Sequence, residues 1–397
     1  MLHVERTGLV LVSLALALAN VSCGSTTHPA AQADSGAQQQ DSGTACPQGM
    51  VFVGGKCVSA TSGWTRVSPG GETTCARGAP YSFFVHVGKT NKVLMYFAFG
   101  GFCFNAELCK VGATNLVPAV DVDEQKLAAL GGIFDLTRAD NPFRDWSMVY
   151  VPECTGDFET GNNVMDYPAL NGSPAITVHH KGFVNVTAVR EWTYKNFVSP
   201  ERMFITGSSG GGDAALMHYP YLRKHYENVK NWTCLLDASF GVTTDSFLTT
   251  GSAGWKAYAN RPSWIPAIQN ATPIQLTQNL AEIEGQKHYG SGVLAELGTA
   301  YDTLESITYQ LMGGDMTQWH DKMEAHLKDV STAVPESFRS FILSGTDHII
   351  LNQATFYQYS EGGVSVRDWV ADLAAGKDVN NVQCDAATKN CMVVRLK

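Results

Sequence analysis

The stretch Ile205-Thr206-Gly207-Ser208-Ser209-Gly210-Gly211-Gly212 constrains this chain more tightly than any other. Before it, Arg202-Met203-Phe204-Ile205 reads as the apolar end of a buried strand. After it, Asp213-Ala214-Ala215-Leu216-Met217 starts a helical pattern. Strand, Gly-x-Ser-x-Gly, helix is the layout of a nucleophile elbow. So tight a turn admits only glycine on either side of the serine, where a side chain would strike strand or helix. Ser209 then stands at a helix N-terminus, where free N–H groups and the helix dipole favour developing negative charge. Glycine- and serine-rich runs are also common loops, and the pentapeptide alone arises by chance. The elements on both sides are what give it weight.

The remainder supplies a sheet for that elbow. Tyr81–Val87, Val93–Phe99, Trp146–Val151, Trp232–Asp237 and Phe338–Leu343 read as short apolar strands. Pro174–Phe197 has helical periodicity in Ile176, Val184, Val189 and Trp192, and a helix with Pro220 inside runs from the elbow to about Tyr226. Thr243–Val330 reads as mainly helical, as a cap over a sheet would. Strands alternating with helices predict the α/β class: an α/β-hydrolase-like, mostly parallel, doubly wound sheet with helical cap insertions. In such sheets the site lies off the carboxyl ends of the strands. Gly100-Gly101, the elbow and His348 all fall at that edge.

A serine hydroxyl needs a base to take its proton and an acid to orient the base. His218 and His225 lie on the helix after the elbow, and His320 and His326 sit in polar helical sequence, so packing or surface roles suit all four. His288 occupies a glycine-flanked loop and is a weak candidate. His348 stands in a short loop after an apolar strand, where an α/β-hydrolase places its base. For the acid, Asp315 is a third option and Asp347, next to the histidine, points elsewhere. Position alone leaves Asp237 and Asp302 open, and either gives the order Ser, Asp, His. Gly210 and the strand end Gly100-Gly101 are the candidate oxyanion donors.

The N-terminus reads as an export signal. Leu9–Ala19 is an apolar run too short to span a bilayer comfortably. It leads to Val21-Ser22-Cys23-Gly24, which suits lipoprotein processing with Cys23 as a lipidated membrane tether; ordinary signal cleavage nearby is the alternative. Domain boundaries follow: signal 1–23, polar tether 24–44, small disulfide-clipped segment 45–62, enzyme-like domain 63–397. Ten cysteines in an exported chain read as disulfides, with no zinc spacing and no cofactor motif. Spacing suggests Cys46–Cys57, Cys103–Cys109 and Cys384–Cys391, with Cys75–Cys154 the long-range pair and Cys234 left over. A net charge of −9 without a basic patch argues against nucleic acid as a partner.

Several of these stretches together resemble the pectin acetylesterase/Notum family. Tyr96–Cys109 is similar to its Gly-Gly-x-Cys-aromatic-Asn segment, and the elbow to its Gly-Cys-Ser-Ala-Gly-Gly. Cys154-Thr155-Gly156-Asp157, Gly161-Asn162-Asn163, Thr299-Ala300-Tyr301-Asp302 and His348-Ile349-Ile350-Leu351 fit as well. The resemblance runs from about Gly63 to Gly376. It implies nucleophile Ser209, acid Asp302 and base His348, with Gly100, Gly101 and Gly210 as the oxyanion hole. It thereby selects Asp302 over Asp237. Ser208 stands where the family has Cys, so a family disulfide there is absent and Cys234 is left unpaired. Gly210 replaces Ala, Phe99 takes the place of a Gly, and Phe102 is bulky at the mouth. The implied activity is an exported serine carboxylic-ester hydrolase removing acyl groups, acetyl foremost, from a glycan or related ester. The alternatives are a catalytically dead hydrolase acting as a surface glycan- or protein-binding module, and, within enzymes, a serine peptidase.

Overall fold

Apolar side chains on the central strands are split between two faces, and that split makes the sheet the middle layer. On Lys92–Phe97, Val93, Met95 and Phe97 enter one core while Leu94 and Tyr96 enter the other. Met203 and Ile205 against Phe204 repeat the pattern on Arg202–Ser208. A period of two leaves no polar face, so both sides must be covered. Helices Gly182–Asn196, Gly210–His225 and Trp319–Ala333 supply core residues on the first face; Val366–Ala375 does so on the second.

The structure is a computed structural model of the chain and describes residues 50–110, 116–384 and 391. Its nine-stranded sheet runs, edge to edge, Val382–Gln383, Phe338–Leu343, Val293–Thr299, Asn231–Asp237, Arg202–Ser208, Lys92–Phe97, Ser147–Val151, Phe83–His86 and Thr65–Val67. Neighbours pair in parallel from Val382–Gln383 through Ser147–Val151, and the last two pairings are antiparallel. This is the doubly wound α/β architecture that the alternating pattern predicts. The elbow strand is central: Phe97 lies opposite Gly207 on one side, and Asp237 opposite Ser208 on the other.

Two stretches depart from the sequence reading. The region 243–330, read as mainly helical, contains the buried strand Val293–Thr299. Glu296 and Gly298 interrupt its apolar run, which hides a strand lying between two others. In 174–197 the helix begins at Gly182, and Ile176–His180 is a strand paired antiparallel with Asn163–Tyr167. That ribbon is only half-buried, so its apolar residues are too sparse to fix a period.

The hairpin Met50–Val53/Lys56–Ser59 turns through Gly54 and Gly55, both at positive φ (58° and 81°). Such two-residue turns match strand twist only with residues that tolerate that conformation. Gly54 N–H donates to the Asn196 carbonyl at 3.0 Å, joining the hairpin to the body. Disulfides join Cys75 to Cys154, Cys103 to Cys109 and Cys384 to Cys391, and Cys234 is free and buried. Cys57 is also disulfide-bonded; Cys46, its expected partner, lies outside the described residues, as do the stretches 1–23 and 24–44 read from the sequence as signal and tether. No described helix is long and apolar enough to cross a membrane.

Candidate active site

Six parallel strand ends lie side by side at the carboxyl edge of the sheet. The elbow is the tightest of them. A Cβ on Gly207 would lie 2.0 Å from the Gly211 carbonyl oxygen, so the chain reverses there only without a side chain. Ser209 itself takes φ 54° and ψ −132°, a conformation L-residues rarely adopt. Such strain persists only where the surroundings enforce it. Here Ser209 N–H donates to the Asp237 carbonyl at 2.7 Å and its carbonyl accepts from Gly212 N–H at 2.7 Å. The helix Gly210–His225 begins at the next residue.

Asp302 follows the strand Val293–Thr299 and His348 follows Phe338–Leu343, two adjacent parallel strands. His348 Nδ1 lies 2.8 Å from Asp302 Oδ2. Asp302 is fully buried, and its Oδ1 accepts from Glu305 N–H at 2.9 Å, which fixes the carboxylate while capping the helix Thr303–Leu311. With Nδ1–H donated to Asp302, the ring keeps its lone pair on Nε2. That atom is buried and has no hydrogen-bond partner among the described residues. Ser209 and His348 line one cavity of about 470 Å³ together with Gly100, Gly101 and Gly210. The Nε2-to-hydroxyl hydrogen bond is not closed, and catalytic hydrogen bonds are often long before substrate binds.

The glycine pair 100–101 continues from the strand Lys92–Phe97. A Cβ on Gly100 would come within 2.7 Å of Glu153 Cβ, so the backbone approaches the neighbouring strand end too closely for any other residue. Among the described residues neither Gly100 nor Gly101 N–H finds a backbone acceptor. Gly210 opens its helix, so its N–H belongs to the unpaired first turn.

Asp237, the other carboxylate that position allowed, is committed elsewhere. Its oxygens accept from Ile350 N–H at 3.0 Å, Leu351 N–H at 2.9 Å and Ser208 Oγ at 2.7 Å. Tyr96 Oη donates to the same Ser208 at 2.9 Å. Burial pushes Asp237 up to about 6, against the pull of those donors. It therefore holds the loop that carries His348, a positioning contact that sequence reading did not assign. Asp347 meets Tyr359 Oη instead of the cavity, and Asp315 caps a short surface turn. His288 sits in the last turn of the helix Gln278–Tyr289 rather than in a loop. His218 is buried on the Glu159 carbonyl at 2.9 Å and stacked on Phe97, and His225 is stacked on Tyr194. His320 bonds the Ala300 carbonyl at 2.7 Å. His326, read from its polar surroundings as a packing or surface residue, is buried against two carboxylates.

Aromatic and aliphatic side chains dominate the cavity wall: Phe99, Phe102, Phe158, Leu304, Ile307 and Met312. Phe99 (46%), Leu304 (47%), Ile307 (37%) and Leu311 (41%) are exposed at this site, an apolar group of a kind that marks a binding surface.

Residues 66–284, more than half of the chain, match the family model described as Pectinacetylesterase. The chain belongs to the pectinacetylesterase family. Its matched residues include Gly100, Gly101, Ser209 and Gly210, whereas Asp302 and His348 lie beyond the match. Pectin acetylesterase 4 of Arabidopsis thaliana is 23% identical over 171 residues, covering 42% of this chain; the chain spans 40% of that relative's length. Among solved structures, the Wnt deacylase Notum from Drosophila superposes with a TM-score of 0.57 at 12% identity, over 81% of this chain and 95% of that one. At that identity the likeness establishes the α/β-hydrolase-type fold.

Proposed function

We propose that this pectinacetylesterase-family chain is a serine carboxylic-ester hydrolase. The observation that carries the reading is a strained Ser209 sharing one cavity with a His348 whose Nδ1 is held by buried Asp302. Ser209 Oγ attacks the ester carbonyl carbon while His348 Nε2 takes its proton. The oxyanion is stabilised by the N–H groups of Gly210, Gly100 and Gly101, each such donor being worth about 10²–10³ in rate. As the carbonyl re-forms, the alkoxide leaves with the proton from Nε2, and the acyl group stays on Ser209. Water, deprotonated by the same nitrogen, then releases the acid.

The cavity supports an acyl group with apolar length to bury. Phe102, Phe158, Leu304, Ile307 and Met312 offer aromatic and aliphatic contact near Ser209, more than an acetyl group can use. The alcohol half, a glycan hydroxyl or another alcohol, is left to the open side. Three described disulfides support a working place in an oxidising compartment, in keeping with the leader read from the sequence. Hydrolysis of p-nitrophenyl esters from C2 to C16, followed by acetylated polysaccharides, tests the reading. The rate is predicted to rise beyond C2 and to fall at least ~10³-fold in Ser209→Ala. Failure to hydrolyse any of these, or full activity in Ser209→Ala, defeats it.

A further inference from the structure

On the sheet face covered by the helices Gln278–Tyr289 and Trp319–Ala333, three ligating side chains meet that the esterase site does not use. Glu296 is on the strand Val293–Thr299, sharing its face with Leu294, so it points into the core. Glu282 and Gln278 project from one side of the first helix, and His326 comes from the second. Glu282 is 1% exposed, Glu296 0% and His326 5%. The donor atoms of Glu282, Glu296 and His326 all lie within 4.8 Å of one another.

The hydrogen bonds of this cluster close only with extra protons on its carboxyls. His326 Nδ1 lies 2.9 Å from Asn279 Oδ1, an acceptor, so Nδ1 carries the ring's proton. Nε2 then accepts, so its hydrogen bond with Glu296 Oε1 at 2.8 Å needs a proton on that carboxyl, and Glu282 Oε2 lies 3.4 Å away. Glu282 and Glu296 also hydrogen-bond each other through their side chains, and Gln278 Oε1 is buried without a hydrogen-bond partner. Gln278 Nε2 donates to Glu282 Oε1 at 2.9 Å and to Glu296 Oε1 at 3.1 Å, so it steadies both carboxylates without supplying charge. Among the described residues no lysine or arginine lies within ion-pair distance of either carboxylate. Lone pairs facing one another out of water need a cation or extra protons between them.

We propose that Glu282, Glu296 and His326 bind one zinc ion as a structural centre that ties the two helices to the strand Val293–Thr299. One imidazole nitrogen and two carboxylate oxygens are a zinc donor set, and in a tetrahedral site with bonds of about 2.0–2.2 Å the donors sit roughly 3.3–3.6 Å apart. The 3.4 Å separation of His326 Nε2 and Glu282 Oε2 already has that spacing, and the 2.8 Å separation to Glu296 opens by about half an ångström. The Asn279 contact is the outer hydrogen bond that fixes a ligating histidine's tautomer. Water completes the four donors, while Gln278 keeps its N–H groups on the Ser239 carbonyl and the two carboxylates. No local motif marks the site, because its ligands come from three separate elements.

Elemental analysis of the purified full chain tests this. After chelation and dialysis against zinc, the protein is predicted to hold one zinc per chain. The Glu282→Gln/Glu296→Gln double variant is predicted to hold none. Chelation is predicted to lower the melting temperature of the parent protein and not that of the double variant. Manganese, offered in the same way, binds more weakly. Should the double variant not fold, X-ray absorption at the zinc edge of the parent protein gives the answer, with three or four nitrogen or oxygen neighbours in the first shell and the outer-shell scattering of one imidazole. A parent protein that retains no zinc, a spectrum showing sulfur ligation, or a double variant that retains full zinc overturns the proposal.

Discussion

Gly210 shows how one missing side chain can be matched by a neighbour. A Cβ there would lie 2.4 Å from Phe158 Cδ1, so the phenyl ring occupies the space that an alanine would need. Phe158 itself is held at φ 52° and packs against Phe102 and Trp255, which leaves its ring little room to retreat. Gly210→Ala is predicted to destabilise the protein by about 1–3 kcal/mol through overpacking, as read by urea denaturation. Adding Phe158→Leu should return part of that loss. Equal stability of parent and Gly210→Ala would break the pairing. Ser208 is the companion case. Where the family resemblance implies a cysteine, this chain has a hydroxyl that accepts from Tyr96 and donates to Asp237, both inside the sheet edge. Both substitutions can be found by comparison with the family motif, but neither partner can. Tyr96 and Phe158 are far off in sequence, and only the fold brings them to the elbow.

Strand ends are where the sequence was most and least informative. Lys92–Phe97 carries five apolar residues in a row, and the elbow strand and Phe338–Leu343 carry three each, Met203–Ile205 and Phe341–Leu343, ahead of glycine or a loop, so they and the residues that follow them are readable from pattern alone. Val293–Thr299 is not, because Glu296 and Gly298 break its run. That single hidden strand is why position could not choose between Asp237 and Asp302: without it, Asp302 has no strand end to follow. The family resemblance selected Asp302, and its hydrogen bond to His348 supports that choice. The two carboxylates should separate experimentally. Asp302→Asn is predicted to lower kcat by about 10⁴ with little change in KM, as expected when the base loses the group that orients it and steadies its charge. Asp237→Asn instead takes an acceptor from the Ile350 and Leu351 N–H groups, so it should lower the melting temperature, with the smaller loss of kcat. Steady-state kinetics beside thermal denaturation distinguishes them, and the reverse ranking of kcat contradicts these roles.

Across the whole molecule, buried acids give stability a distinctive dependence on pH. Burial, and then the charge of Asp157, raises Glu153 to about 8, against the donors on Asp157, Gly156 and Thr155. Unfolded, the same carboxyl ionises near pH 4. Between those values the native state holds a proton that the unfolded chain has lost, so stability falls as pH rises. Buried His180, lowered to about 4, and His218, also lowered by burial, act in the opposite direction below about pH 6.5, where only the unfolded chain is protonated. Above pH 7 only the carboxyl slope remains. The melting temperature should therefore drop between pH 7 and 8.5, and Glu153→Gln should flatten the drop. A flat or rising profile in the parent protein contradicts this. None of it could be read from composition, since the net charge of −9 does not distinguish solvated carboxyls from those enclosed in the fold.

An activated nucleophile reacts with a fluorophosphonate probe and an exposed hydroxyl in a glycine loop does not, so treating the native full chain with the probe, followed by intact mass and peptide mapping, decides which of the two Ser209 is. The prediction is one adduct per chain, on Ser209, lost in Ser209→Ala and formed far more slowly in His348→Ala. No adduct, or an adduct on another serine while Ser209 stays unmodified, would contradict it.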